Sequence, residues 1–379
     1  MSEKGVLSAE LAETWTEANH RRSALEFLRS TTFIASVLVV LFISSTFLYF
    51  FLDDEPVDYG TSVEFDQDRV RGFAQDLVNL GHPEWKGRMS GSAEEQATAE
   101  YIADMFEELG YQAKLHTYEV PMHSINSEPS LKVCEPGALG QLGAVPCSPA
   151  DTGQQVTTFN HRSDYVIQGF SGESSFMFGD NVEVVHLKDG TDDSLWASAS
   201  GKVGYVVGAG TKLGNTDFMT QAIENDLSSI IRVNKDYNCG KIEGNDCVPI
   251  FKGTNFDAIA QANGGNAPSQ MAFIAMSKEA GEILEEVVIN GSGRLEMIID
   301  VTNDQELTIR VPCGTYYGNS DELVIVGGHH DTVYHAAGAV DDSSGVASVL
   351  ELATIFSEEI VKNGIPERTI RFCTWGGEE

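Results

Sequence analysis

Gly327-Gly328-His329-His330-Asp331-Thr332 is followed by Asp341-Asp342-Ser343-Ser344-Gly345, and the sequence closes on Gly376-Gly377-Glu378-Glu379. The residues around these clusters set the fold. Glu322–Gly328 (ELVIVGG) is a short apolar run, which predicts a strand buried inside a sheet. Val346, Val349, Leu350, Ala353, Phe356 and Ile360 recur with the period of a helix, and Asn363-Gly364 with Pro366 stops it. Thr369–Trp375 (TIRFCTW) reads as the next strand. Strand, helix, strand predicts a parallel βαβ unit, and ligand sites in such sheets gather at the carboxyl ends of the strands. His329 lies just past the first such end, and Glu378 and Glu379 lie just past the second.

These residue types suit metal-assisted hydrolysis. Alternate residues of an extended segment share a face, so His329 and Asp331 point one way and His330 the other. A carboxylate at Asp341 or Asp342, where the helix opens, can bridge two cations. Of two adjacent glutamates at a strand end, one can bind metal while its neighbour takes a proton from water. Each piece alone is weak: His-x-Asp arises by chance, and Glu-Glu pairs are usually solvated surface. Their joint placement after two consecutive strands is far more specific.

Outward from this core, 24 Lys and Arg stand against 57 Asp and Glu, a net charge of −33. A surface that negative repels nucleic acid and anionic lipid, so no nucleic-acid partner is expected. Thr32–Leu52 is uncharged and apolar, about 20 residues, enough to span a ~30 Å hydrocarbon core. Arg21, Arg22 and Arg29 precede it; Asp53, Asp54, Glu55 and Asp58 follow it. The positive-inside rule then expects a single-pass type II membrane protein with its catalytic portion lumenal or extracellular. A cleaved signal peptide is the competing reading, disfavoured by the long segment before the apolar run. All six cysteines lie beyond that run. Cys134 with Cys147, and Cys239 with Cys247, bracket short loops and are expected as local disulfides; Cys313 and Cys373 are expected as buried thiols. Asn290-Gly291-Ser292 is a glycosylation sequon on the expected lumenal side.

Residues 66–80 follow a helical period, with Val70, Phe73, Leu77 and Leu80 on one face. Ser92 and Glu95 predict a capping box for a second helix, and Tyr111–Val120 reads as a strand. Residues 128–152 are expected to form a loop. Short strand-like runs at Val182–Leu187, Lys202–Val207, Ser228–Val233 and Met271–Ser277, with helices near Asp217–Glu224 and Lys278–Val288, predict a separate α/β module.

The segments GGHHDT, AVDDSSGV and TIRFCTWGGEE resemble the M28 family of zinc-dependent exopeptidases. The upstream run Lys86-Gly87-Arg88-Met89-Ser90-Gly91-Ser92 is similar to that family's amino-terminal portion. Gly201–Val206 and Ile274–Gly281 resemble a protease-associated (PA) domain. The resemblance implies an α/β fold: a mixed sheet of the zinc-exopeptidase type flanked by helices, with a PA-like insert and an amino-terminal transmembrane helix. The expected layout is a cytosolic tail 1–31, a transmembrane helix 32–52, peptidase parts at 60–150 and 296–379, and the insert at 151–295. By motif, His329 would bind one zinc, Asp341 would bridge two zincs and Glu379 would bind the second. Glu378 would be the general base, and Asp331 would orient the site without binding metal. The family uses two further ligands, an Asp and a His, downstream of Glu-Glu; residues 1–379 offer neither, so this chain is expected to be incomplete and inactive. A peptide substrate and the membrane are the implied partners, and the layout admits a homodimer. Two alternatives are a receptor-like homologue without catalysis and an M20-like metallohydrolase. The M20 reading is disfavoured by the short His-x-Asp to Asp-Asp spacing. His335 is expected near the cleft, and His330, His82 and His123 as structural or surface residues.

Overall fold

Asp66 opens the first helix: its carboxylate accepts the N–H groups of Asp68 and Arg69, and α1 runs Gln67–Asn79. The computed structural model describes residues 64–138, 145–207, 213–233, 249, 251 and 253–379. The expected membrane span 32–52 and the Cys239–Cys247 pairing lie outside these residues. Among the described residues no helix is long and apolar enough to cross a membrane. The chain divides into Met1–Glu64, almost wholly outside the described residues, and Phe65–Glu379.

After α1 come α2 (Ala93–Glu108), β1 (Gln112–Ile125), β2 (Ser130–Glu135), β3 (Gln155–Phe159), β4 (Tyr165–Ile167), β5 (Ser174–Phe176) and β6 (Val184–His186). Then follow α3 (Asp193–Ser198), β7 (Val203–Val207), α4 (Asn215–Glu224), β8 (Ser229–Val233), α5 (Phe256–Ala262), β9 (Ala272–Met276) and α6 (Lys278–Leu284). The last elements are β10 (Arg294–Ile299), β11 (Val301–Tyr316), β12 (Leu323–His329), α7 (Ser343–Asn363) and β13 (Thr369–Trp375). The class is mixed α/β, as expected.

The site sits on a four-stranded sheet in the order β1-β11-β13-β12. β1, β11 and β13 pair antiparallel, while β12 and β13 pair in parallel with His329 opposite Trp375. The sequence's βαβ unit is therefore present. Helices α1, α2 and α7 cover the face that carries Ile370 and Phe372, where Leu77, Ile102, Phe106, Val346 and Leu350 are fully buried. Each such side chain contributes about 1.5–3 kcal/mol relative to exposure. Ser92 caps α2 by accepting the Glu95 N–H at 3.1 Å. Only half of the expected capping box forms, because the Glu95 carboxylate turns into the protein instead.

The second region holds two sheets packed face to face. One is β3-β2-β10-β5; the other is β4-β9-β8-β7-β6, parallel from β6 through β9. Leu131, Val133 and Met297 from the first sheet meet Ile167, Tyr205, Ile231 and Ile274 from the second. Trp196, Phe218 and Ile259 from α3, α4 and α5 cover the outer face.

Three sequence expectations are corrected. Residues 128–152 are not all loop: Ser130–Glu135 is a strand paired with both β3 and β10, because Leu131 and Val133 alternate inward from polar neighbours. Cys313 and Cys373 are not thiols; they form a disulfide between directly opposed residues of β11 and β13. Two separate strand patterns hide that proximity, which only the antiparallel register creates. The run at β12 is not enclosed: among the described residues β12 is an edge strand, with Leu323 44%, Val324 42% and Ile325 55% exposed. Its composition suits two-sided burial, but only β13 lies beside it. The expected Cys134–Cys147 disulfide is present.

Candidate active site

The parallel pairing of β12 and β13 brings the two sequence clusters together. His329 Nε2 lies 3.1 Å from Asp341 Oδ1 and 3.9 Å from Glu378 Oε2. His329 Nδ1 lies 3.1 Å from the Asp331 carbonyl oxygen and 3.3 Å from Asp331 Oδ1. A carbonyl can only accept, so the Nδ1 proton points at Asp331 and the neutral ring leaves its Nε2 lone pair toward Asp341. Two acceptors then face each other, an arrangement that calls for a cation between them. In the free chain the proton fills that need. Hydrogen bonding to Asp331, with the negative charges of Asp331, Glu378 and Asp342, raises the His329 pKa to about 9 against the effect of burial.

Asp331 is completely buried and holds the strand end in place. Its Oδ2 accepts the Ser90 hydroxyl at 2.5 Å and the successive N–H groups of Gly377, Glu378 and Glu379, each at 3.1 Å. Successive amides wrapped about one anion form a nest, and Gly377 supplies the left-handed residue (φ 96°) that it needs. Burial would push the Asp331 carboxyl up, but bonds from His329, Ser90 and Glu379 hold it below the usual range. Glu379 is pushed up by burial and by the charges of Glu378, Asp341 and Asp331. Asp342, not Asp341, caps α7 by accepting the Gly345 N–H at 2.9 Å, which leaves the exposed Asp341 carboxylate free to face His329. The Asp341–Asp342 peptide is cis.

Beneath the site lies a buried polar layer. Glu95, fully buried, accepts from Arg310 N–H and Nη1 at 3.0 and 2.7 Å and faces His330 Nε2 at 3.1 Å. His330 Nδ1 in turn meets Thr374 Oγ1 at 2.9 Å, so His330 is structural, as expected. Gly376 passes directly over this layer; a Cβ there would meet Glu95 Oε1 at 2.8 Å. Arg88 is also fully buried. It donates to the carbonyls of His330, Leu77 and Ala337 and to Ser343 Oγ, tying the segment after β12 to the start of α7. Burial lowers the Arg88 pKa to about 10, against the pull of Asp331. Arg88 and Ser90 stand in the quoted run 86–92, where a basic residue between glycine and apolar neighbours was the available signal. His335 packs on Tyr334 and Phe251, and burial lowers its pKa to about 4. His82 stacks on Trp85, and His123 is buried.

Among the described residues no three His, Cys, Asp or Glu side chains converge as a metal-binding group. The donor chemistry nevertheless fits zinc, which takes imidazole nitrogen and carboxylate oxygen. One imidazole with an outward lone pair faces Asp341 at 3.1 Å and Glu378 at 3.9 Å, and an excess of carboxylate over cation is what a bound metal would balance.

The sequence profile of peptidase family M28 matches residues 313–379. An aminopeptidase of Pseudomonas aeruginosa is 34% identical over 86 residues, 23% of this chain and 15% of that protein. A probable glutamate carboxypeptidase of Arabidopsis thaliana is 34% identical over 93 residues, 24% of this chain and 12% of that protein. Among solved structures, a zinc aminopeptidase from Bacillus subtilis superposes with a TM-score of 0.56 at 17% identity, over 84% of this chain and 63% of that one. The chain thus spans under two thirds of that neighbour's length, and the likeness is one of fold.

Proposed function

We propose, from the match of residues 313–379 to peptidase family M28, that this site serves a membrane-anchored, two-zinc exopeptidase that cleaves peptide bonds at a chain terminus. The observation that carries the reading is the meeting of His329 Nε2 with Asp341 Oδ1 and Glu378 Oε2 at two strand ends. His329, Asp341 and Glu379 are the residues that would hold metal. Bound zinc would supply Lewis acidity toward the scissile carbonyl and activate water. Glu378, whose side chain is 58% exposed, is the base that takes the proton from water and passes it to the leaving amine. Asp331 fixes the His329 ring and, through the nest, the positions of Glu378 and Glu379. The matched relatives include an aminopeptidase and a probable carboxypeptidase, so the shared segment carries hydrolysis rather than the choice of end.

The remaining parts of the reading rest on sequence. The apolar run 32–52 supports a single-pass type II anchor with a lumenal or extracellular site. Residues 151–295 are assigned as a PA-like insert, and the layout admits a homodimer. The M28 resemblance implies two further ligands, an Asp and a His. The decisive experiment is metal-dependent hydrolysis of small peptides by the whole protein and its Glu378→Ala variant. Loss of turnover with metal retained supports the mechanism; an unchanged rate in Glu378→Ala refutes it.

A further inference from the structure

Away from the His329 cluster, a cavity of 390 Å³ opens between the segment before α2 and the end of β1, with Tyr334 in its wall. That is within the size range of small-ligand sites. Its charged lining is all acidic: Glu84, Glu94 and Glu128, with no lysine or arginine among the lining residues. No described basic side chain forms an ion pair with Glu84 or Glu94. Trp85 makes an aromatic wall, stacked on His82 at 4.8 Å and edge-on to Tyr334 at 6.1 Å. Its indole N–H donates to Glu128 Oε2 at 2.9 Å, and Glu128 Oε1 lies 3.2 Å from His161 Nδ1, so this carboxylate is fixed in place. The second observation is His123. It lines the cavity, is 3% exposed, and neither of its ring nitrogens has a hydrogen-bond partner. A buried imidazole left without partners is costly, and a ligand with a polar group in the cavity would relieve that cost.

We propose that this cavity is a second binding site, for a primary ammonium group carried on an apolar or aromatic body. The ammonium is matched by the glutamates and by the faces of the aromatic rings, which attract cations. The body is matched by Met89, Ile125 and Leu307. His123 is held neutral, its pKa lowered to about 4 by burial, so it adds no repelling charge. The lining also includes Ser90, whose hydroxyl is bonded to Asp331, so an occupied cavity touches the residue that positions the candidate active site. The ammonium could come from a small free amine or from the amino terminus of a peptide, which share this chemistry.

The test is calorimetric and fluorescence titration of the 379-residue chain with phenethylamine, and with 3-phenylpropionate as a probe of similar body and opposite charge. Saturable binding of phenethylamine, at least about tenfold tighter than the anion, is the expected result, since a charge-assisted contact carries about that factor. Glu94→Gln is expected to weaken phenethylamine binding about tenfold, and His123→Phe to weaken it by removing the unpaired ring nitrogens that the ammonium would meet. If His123→Phe fails to fold by circular dichroism, Glu94→Gln, at a partly exposed helix position, decides. Titration with Phe-Gly-Gly amide and its N-acetyl form separates the sources. Tighter binding of the free peptide than of phenethylamine assigns a peptide amino terminus, and the reverse assigns a small amine. Equal affinity for ammonium and carboxylate probes, no saturable phenethylamine binding, or a Glu94→Gln affinity equal to that of the parent would overturn the proposal.

Discussion

Replacing Asp331 is the sharpest perturbation of the site. In Asp331→Ala four donors lose one acceptor oxygen: the Ser90 hydroxyl and the N–H groups of Gly377, Glu378 and Glu379. A hydrogen bond to a charged group contributes about 1.5–3 kcal/mol, but four donors sharing one oxygen are not additive. The buried Ser90 hydroxyl loses its acceptor while its oxygen still accepts the Gly377 N–H at 2.7 Å, and the exposed amide of Glu378 regains water. Removing one carboxylate also relieves repulsion with Asp341, Glu378 and Glu379. The net loss is estimated at about 4 kcal/mol for Ala. Asp331→Asn keeps one acceptor oxygen without its charge and is expected to cost about 2 kcal/mol, since neutral bonds have roughly half the strength of charge-assisted ones. Urea unfolding of the chain and both variants in the presence of a chelator, at pH 7, measures this. Equal stabilities for Asn and Ala, or an Ala variant within about 1 kcal/mol of the parent, would show that Asp331 does not hold the strand end.

Other outcomes follow from the same structure. His123 has a folded pKa of about 4 against an ordinary value of 6.5, so the folded state binds a proton less readily. Its contribution is fully present above pH 6.5 and is lost as pH falls through 4, by up to about 3 kcal/mol; His123→Phe should flatten the chain's stability between those limits. The Cys313–Cys373 disulfide spans 60 residues and Cys134–Cys147 spans 13. Loop-closure entropy then predicts losses of about 4 and 3 kcal/mol for the respective double Cys→Ser variants, read by thermal or urea unfolding. Arg88→Met strips the guanidinium from four acceptors in a buried site, and a loss of at least about 3 kcal/mol is expected. Ile325→Lys, at a position 55% exposed on β12, should cost under about 1 kcal/mol in this chain.

The elements closest to the site were legible because each carries a strong local signal. Period 3.6 in α7, the apolar run of β12 and the β13 pattern gave the βαβ unit, and glycines before each cluster marked the strand ends. The meeting of His329, Asp341 and Glu378 followed from that unit. What stayed hidden depends on register and on the far side of the sheet. Glu95 reads as half of a capping box, yet β11 carries Arg310 over α2 and the ion pair draws the carboxylate inward. Cys313 and Cys373 become a disulfide only because β11 and β13 align them. The role of Ser90 is set by a contact across 241 residues, which no local pattern encodes. Ser130–Glu135 was masked by the prolines and glycines that follow it.

The central claim is that His329 ligates metal while Glu378 serves as base beside it. Zinc competition against a chromogenic chelator, for the whole protein and its His329→Ala and Glu378→Ala variants, tests it most directly. The account predicts zinc binding that falls at least about tenfold in His329→Ala and is retained in Glu378→Ala. Zinc affinity unchanged by His329→Ala, or lost equally in both variants, would contradict it.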